Sequence, residues 1–236
     1  MSAVISTLQL HLNRRRAIFL VPLWIAAVVG VISVIIALIF WRGGSQPGTA
    51  DWIHSSQSNP GIVYALGSFL TYLGVTSVAS TYPFALTLGS TRRAFVVGTL
   101  LWQAFVAAYV AVVFLVLCLI EIATHHWFIG FYAFDIYALG AGNLWRLLAI
   151  VFLGVLTFLA IGAVFAAAWV RFGLRGPQVL ALGLVVVLGL GIAIVVPDFG
   201  AIMAAFQLWW LAVTAGVIIV LASLGTWLFL RSAVIR

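Results

Sequence analysis

Six stretches of this chain are apolar for long enough to cross a bilayer, and almost no charge interrupts them. They run Ala17–Phe40, Gly61–Tyr82, Ala94–Ile120, Leu144–Val170, Gln178–Val196 and Leu208–Leu230. A helix needs about 20 apolar residues to traverse the hydrocarbon core. Only 6% of the 236 residues are charged, against roughly 25% in a soluble domain, so the chain cannot cover a water-facing surface. In lipid every backbone N–H and C=O must be bonded within its own segment, which makes the runs helices. No alternating apolar–polar pattern points to a barrel. The reading is an all-α polytopic membrane protein, one transmembrane domain over residues 1–236, with no length left for a soluble catalytic domain. The first run follows Arg14, Arg15 and Arg16, as a signal peptide's core would. At 24 residues it exceeds the roughly 7–15 of such a core, and it reads as a retained span.

The arginines set the orientation. Arg14, Arg15, Arg16, Arg92, Arg93, Arg171, Arg175, Arg231 and Arg236 fall on one side, Arg42 and Arg146 on the other. Nine against two places both termini in the cytoplasm. Asp51, Glu121, Asp135, Asp198 and the His125–His126 pair then lie outside. The chain has no lysine and one cysteine, Cys118, so no intramolecular disulfide can form. Arginine-only basicity with abundant Ala, Gly and Val reads as a GC-rich bacterial genome and hence a bacterial plasma membrane. The arginines are strung along the membrane edge and form no soluble basic face for nucleic acid.

Ahead of the first span, residues 3–13 carry Val4, Ile5, Leu8 and Leu12 on one helical face, with Ser6, Gln9 and Asn13 away from it. This predicts an interfacial helix within a cytoplasmic segment 1–16, its arginines at anionic lipid headgroups. Trp41–Pro60 reads as irregular. Glu121–Asn143 is dense in aromatics, which suits a loop at the outer boundary or dipping back into it.

The turn between spans two and three is the most informative segment: Tyr82-Pro83-Phe84-Ala85-Leu86-Thr87-Leu88-Gly89-Ser90-Thr91-Arg92-Arg93-Ala94-Phe95. Pro83 suits a first helical turn, where its missing N–H has no intrahelical partner. Gly89 suits a C-terminal cap at positive φ. Ser90 or Thr91 can cap the next helix. The expectation is a separate helix over Pro83–Leu88 presenting Phe84, Leu86 and Leu88, followed by Arg92 and Arg93. An ordinary tight turn with arginines on the positive side is the alternative.

This run resembles the coupling-helix region of ABC-2 type permeases, in which a Leu-Gly-x-x-Arg-Arg pattern lies between spans two and three. Six spans and an N-terminal interfacial helix match that family's membrane domain, and Arg171–Gly176 is similar to its second cytoplasmic turn. The link Pro197–Gln207 is shorter than the re-entrant helical pair the family often carries. The resemblance implies a permease working with a second permease subunit, homo- or heterodimeric. Each would dock Pro83, Phe84, Leu86, Leu88, Gly89, Arg92 and Arg93 on a cytoplasmic ATPase, with ATP and Mg bound there. Export of cargo is the implied direction.

The chain itself has no lysine for a phosphate-binding loop, so any ATP hydrolysis falls to another subunit. Span two bears a stripe of small and hydroxylated residues, Gly67, Ser68, Thr71, Gly74, Ser77 and Thr81. It reads as a pathway lining, a dimer wall or plain helix packing. Ionisable groups are nearly absent from the span interiors, with Glu121 and Arg146 at the outer boundary within reach of water, which disfavours gradient coupling. The few charges favour a hydrophobic or amphipathic cargo. His125, His126 and Asp135 lack the spacing of a metal site. No positioned serine and base point to an intramembrane protease. Two other readings remain at this level: a substrate-capture subunit like those of vitamin importers, and a gradient-driven carrier.

Overall fold

A computed structural model describes residues 2–13 and 15–233, with Ser2, Ala3 and Met203 described in backbone only. Arg14 and Arg236, counted above toward orientation, lie outside the described residues. The elements are α1 (Ser2–Leu12), α2 (Val21–Arg42), α3 (Ala50–Gln57), α4 (Gly61–Ala79), α5 (Thr81–Thr87), α6 (Arg92–Ala123), α7 (Leu144–Phe172), α8 (Arg175–Val195), α9 (Phe199–Ala205) and α10 (Trp209–Arg231). A π-helical turn, Arg16–Leu20, leads into α2. No strand occurs among the described residues. Six helical stretches are long and apolar enough to cross a membrane: Arg16–Arg42, Ala50–Thr87, Arg92–Ala123, Leu144–Phe172, Arg175–Ile202 and Trp209–Arg231. The chain is thus an all-helical, multi-pass membrane protein.

The helices divide into two compact units. One comprises residues 1–11, 71–101 and 157–236, and the other residues 12–70 and 102–156.

The first unit is organised by glycine. A side chain on Gly74 of α4 would overlap the backbone of Leu159, and one on Gly162 of α7 would overlap the backbone of Thr71 and Val75. Each helix therefore lends the other a notch, and the two backbones meet closely, as small residues permit between membrane helices. Beside this crossing lies a buried cluster that includes Val78, Tyr82, Phe95, Ala163, Ala166, Ala167 and Leu230. The alanines keep α7 thin where the rings of Tyr82 and Phe95 pack edge-on, 5.1 Å apart at 71°.

The N-terminal helix forms where residues 3–13 led one to expect it, as α1. Thr7 and His11 are its buried residues, while Ile5 is exposed. His11 Nε2 lies 3.0 Å from Thr99 Oγ1, and Gly98 leaves the room that Thr7 fills. A polar pair bonded inside an interface thus sets the docked face.

From Leu182 to Ala201 every residue is exposed. Only the start of α8 is anchored, where Gly176 fits against the Ala168 backbone. A helix apolar on all sides is stable when lipid or another helix surrounds it. Beyond it the short α9 stands where the resemblance leads one to expect a helical pair.

In the second unit the segment Trp41–Pro60 is not irregular throughout. Thr49 caps α3, its Oγ1 accepting from the Trp52 amide at 3.4 Å. Trp52 is buried against Phe131 at 6.0 Å and 84°, and its indole N–H donates to the Gly130 carbonyl at 2.8 Å. The aromatic loop folds back against the protein: Phe131, Ala133, Phe134, Ile136 and Leu139 are all buried.

Candidate functional site

The turn between spans two and three is built as a separate helix. α5 covers Thr81–Thr87, two residues earlier than Pro83 alone suggested. Its end is a full Schellman arrangement. Ser90 N–H donates to the Ala85 carbonyl and Gly89 N–H to the Leu86 carbonyl, both at 3.0 Å. Gly89 sits at φ +83°, a conformation glycine adopts without a Cβ penalty. Thr91, not Ser90, caps α6: its Oγ1 accepts from the Ala94 amide at 3.2 Å.

The last turn of α10 fixes this hairpin in place. The final carbonyls of a helix have no intrahelical donor and carry the negative end of its dipole. Here donors come from three other segments. The Tyr82 hydroxyl donates to the Leu230 carbonyl at 2.9 Å. The Arg92 guanidinium donates to the Arg231 carbonyl. Arg171 donates to the Leu228 carbonyl at 3.3 Å, its guanidinium 4.7 Å from the Phe172 ring centre. Two cations and a phenol thus bind the end of α10 to α5, α6 and α7.

The residues expected to face a partner divide. Phe84 is 52% and Leu88 66% exposed, one helical turn apart on the outer side of α5. Leu86 is half-buried and packs against the internal cluster that holds Tyr82, so it belongs to the clamp. Pro83 is half-buried, and Gly89, Arg92 and Arg93 are exposed.

The stripe on span two also divides. Gly74 is consumed by the crossing with α7. Ser77 Oγ donates to the Gly74 carbonyl at 2.7 Å, and Thr81 Oγ1 donates to the Ser77 carbonyl. Both hydroxyls are buried and serve their own helix. Gly67 is buried and Thr71 half-buried, whereas Ser68 is exposed, its hydroxyl donating to the Tyr64 carbonyl at 2.9 Å. Tyr64 and Tyr72 are exposed as well.

Glu121 requires a correction. It is not a boundary carboxylate within reach of water; its exposure is 0%. The returning loop closes over it and donates to it. Oε1 accepts the Ala133 amide at 3.1 Å and the Asp135 amide at 3.4 Å. Oε2 accepts the Phe134 amide at 2.8 Å and the Trp127 indole N–H at 3.1 Å. His126 Nδ1 stands 3.5 Å from Oε1, with its ring stacked 3.8 Å from Tyr132. Burial, and then the charges of Asp135 and Glu121, push the Tyr132 phenol above its ordinary pKa of 10.0. A buried carboxylate is tolerated when backbone amides replace its water. The loop makes the return through His125, His126, Trp127 and Phe128, all at positive φ, a conformation that costs roughly 1–2 kcal/mol per residue with a side chain. The Glu121 bonds offset that strain. Among the described residues no three His, Cys, Asp or Glu side chains gather as a metal site.

No family model, curated protein or solved structure matches the chain.

Proposed function

We propose that this chain is the permease subunit of an ATP-driven transporter of the ABC-2 type, coupled through α5 to a separate cytoplasmic ATPase. The observation that carries the reading is the construction of α5. It is capped at its C-terminal end, tied to the ends of three long helices, and leaves Phe84 and Leu88 uncovered beside Arg92 and Arg93. A helix held this firmly can transmit a push to α4, α6 and α10 together. Its two exposed apolar side chains are what a groove on a partner would grip.

A second permease subunit would find an apolar surface on α8, whose residues from Leu182 onward are exposed, and that surface supports the pairing. The exposed Ser68, Tyr64 and Tyr72 of α4 supply a mildly polar surface that a pathway for amphipathic cargo would use. The arginine bias supports a cytoplasmic side for α5 and both termini, the arginine-only, Ala-, Gly- and Val-rich composition supports a bacterial membrane, and export is the direction the family likeness carries. ATP and Mg belong to the partner; transport is this chain's part, and catalysis is not.

The test replaces the uncovered side chains. Phe84→Asp combined with Leu88→Asp is expected to abolish retention of a P-loop ATPase during mild-detergent purification while the permease keeps its gel-filtration profile. Unchanged retention overturns the reading. Leu86→Asp is a poor substitute, because it would disrupt the clamp as well as the contact.

A further inference from the structure

The second unit contains an apolar cavity of about 460 Å³. One wall is the Leu23–Ile35 stretch of α2, and the other is Leu117 of α6 with Trp127 and Phe134 of the returning loop. Small residues on α2 make the room. Ala26, Ala27 and Gly30 line it, and a Cβ on Gly30 would meet nothing within 4 Å.

Two features decide what such a space can hold. First, it offers no hydrogen bond. The lining side chains are hydrocarbon except for the Trp127 indole, whose N–H is already given to Glu121. A polar ligand would lose its hydration there with no return. Second, the space cannot close. Phe134 and Trp127 are both held by Glu121 Oε2, so the loop carrying them is fixed and cannot fall inward. The space is open along α2, where the lining residues Leu23, Val31 and Ile35 are exposed, and left unfilled its apolar walls forfeit dispersion contacts. The neighbouring α2 residues Trp24, Val28 and Ile32 are exposed, on a helix long and apolar enough to span the bilayer. The medium at the cavity mouth is therefore lipid hydrocarbon.

We infer that this cavity is a binding site for a hydrocarbon chain of a membrane amphiphile, laid along α2 with one part against the rings of Trp127 and Phe134. The inference does not rest on the transport reading; it needs only the fold and the Glu121-held loop. A bilayer phospholipid and a single-chain amphiphile offer the same chemistry, and the test separates them.

The full chain is reconstituted in phosphatidylcholine vesicles with a trace of phospholipid carrying a photoreactive diazirine in one acyl chain. In a parallel arm the same group is carried on a free fatty acid. After irradiation, adducts are mapped by peptide mass spectrometry. The helix α8 is the internal reference, since it is as apolar and exposed at every residue from Leu182 to its end. Adducts are expected to be denser over residues 23–35 and at Trp127 and Phe134 than on α8. Two separate variants, Gly30→Leu and Ala27→Phe, fill the space. Each is expected to cut cavity labelling about tenfold, the change that loss of roughly two buried methylenes produces, with α8 labelling unchanged. Unchanged α8 labelling shows that the variant is inserted, and an unchanged thermal melt shows that it is folded. Enrichment with either probe supports the site and names its source. Labelling no denser than on α8, or untouched by both variants, overturns it.

Discussion

Replacing Glu121 by glutamine keeps the shape of the side chain and removes its ability to accept on both oxygens. In the native protein the carboxylate accepts three backbone amides and one indole N–H, and its residue is fully buried. A glutamine amide keeps one acceptor oxygen and turns the other atom into a donor facing donors. In either orientation two of the four bonds are lost. A hydrogen bond to a charged group contributes about 1.5–3 kcal/mol net, and a buried donor left unpaired costs about 1–3 kcal/mol. The two lost bonds therefore place the cost at roughly 3–5 kcal/mol, the range for removing one partner of a buried charged contact. For a chain of this size about 1 kcal/mol shifts the melting temperature by roughly 2–4 °C, so Glu121→Gln is expected to melt about 6–20 °C lower. The assay is thermal unfolding in mild detergent followed by tryptophan fluorescence, with a Glu121→Asp variant, which retains the charge on a shorter arm, expected to fall in between. A glutamine variant melting within about 2 °C of the parent would refute the reasoning, since the carboxylate would then not be what holds the loop.

Four further outcomes follow from the packing. Gly162→Leu forces a side chain into the backbone of Thr71 and Val75 and is expected to cost at least about 1–3 kcal/mol by overpacking, whereas Gly154→Leu, where a Cβ meets nothing, should leave the melt unchanged. Tyr82→Phe deletes only the bond to the Leu230 carbonyl and is expected to cost about 1 kcal/mol, read from the same melt. A double-mutant cycle of His11→Ala and Thr99→Ala should return a coupling of roughly 0.5–1.5 kcal/mol; additive losses would mean that the 3.0 Å contact is not formed. The Tyr132 phenol has a folded pKa raised above 10.0 by burial first and then by Asp135 and Glu121. Its stabilising contribution is therefore complete below pH 10 and is lost as pH rises through the folded value. The phenolate absorbance that Tyr132→Phe removes should accordingly appear above the pH at which exposed tyrosines titrate.

Much of the fold could be read from the residues because lipid leaves few options. A run such as Ala94–Ile120 has one backbone solution in a bilayer, and α6 follows it with two residues added before it and three after. The α5 turn was equally legible. Gly89 must take positive φ for the chain to reverse, and Thr91 has the hydroxyl for the next cap. What periodicity could not supply was which side of a helix meets protein. Leu86 and Leu88 are both apolar, yet only Leu88 stays outside, because Leu86 falls on the side of α5 that meets the cluster of Tyr82 and Phe95. On α1 periodicity marked Val4, Ile5, Leu8 and Leu12 as the apolar face and said nothing of the side that packs on protein, which holds Thr7 and His11. That choice depends on Gly98 and Thr99, some 90 residues away in sequence (|i−j| = 88 for the His11–Thr99 pair). Glu121 was misread for a related reason. Its partners are backbone amides of Ala133, Phe134 and Asp135, and any sequence there would carry the same N–H groups. The one available signal was an isolated carboxylate followed by a loop too aromatic to remain in water. Thr49 and Asp51 before Trp52 were a helix start hidden among Gly, Ser and Pro.

The central claim is that α5 is gripped by an ATPase. The most direct measurement is purification of the tagged chain from its native membrane in mild detergent, with mass spectrometry of what accompanies it. A P-loop ATPase in stoichiometric amount, lost in the Phe84→Asp, Leu88→Asp variant, is the expected result. A chain that emerges with no ATPase across several detergents and salt concentrations would contradict the permease assignment.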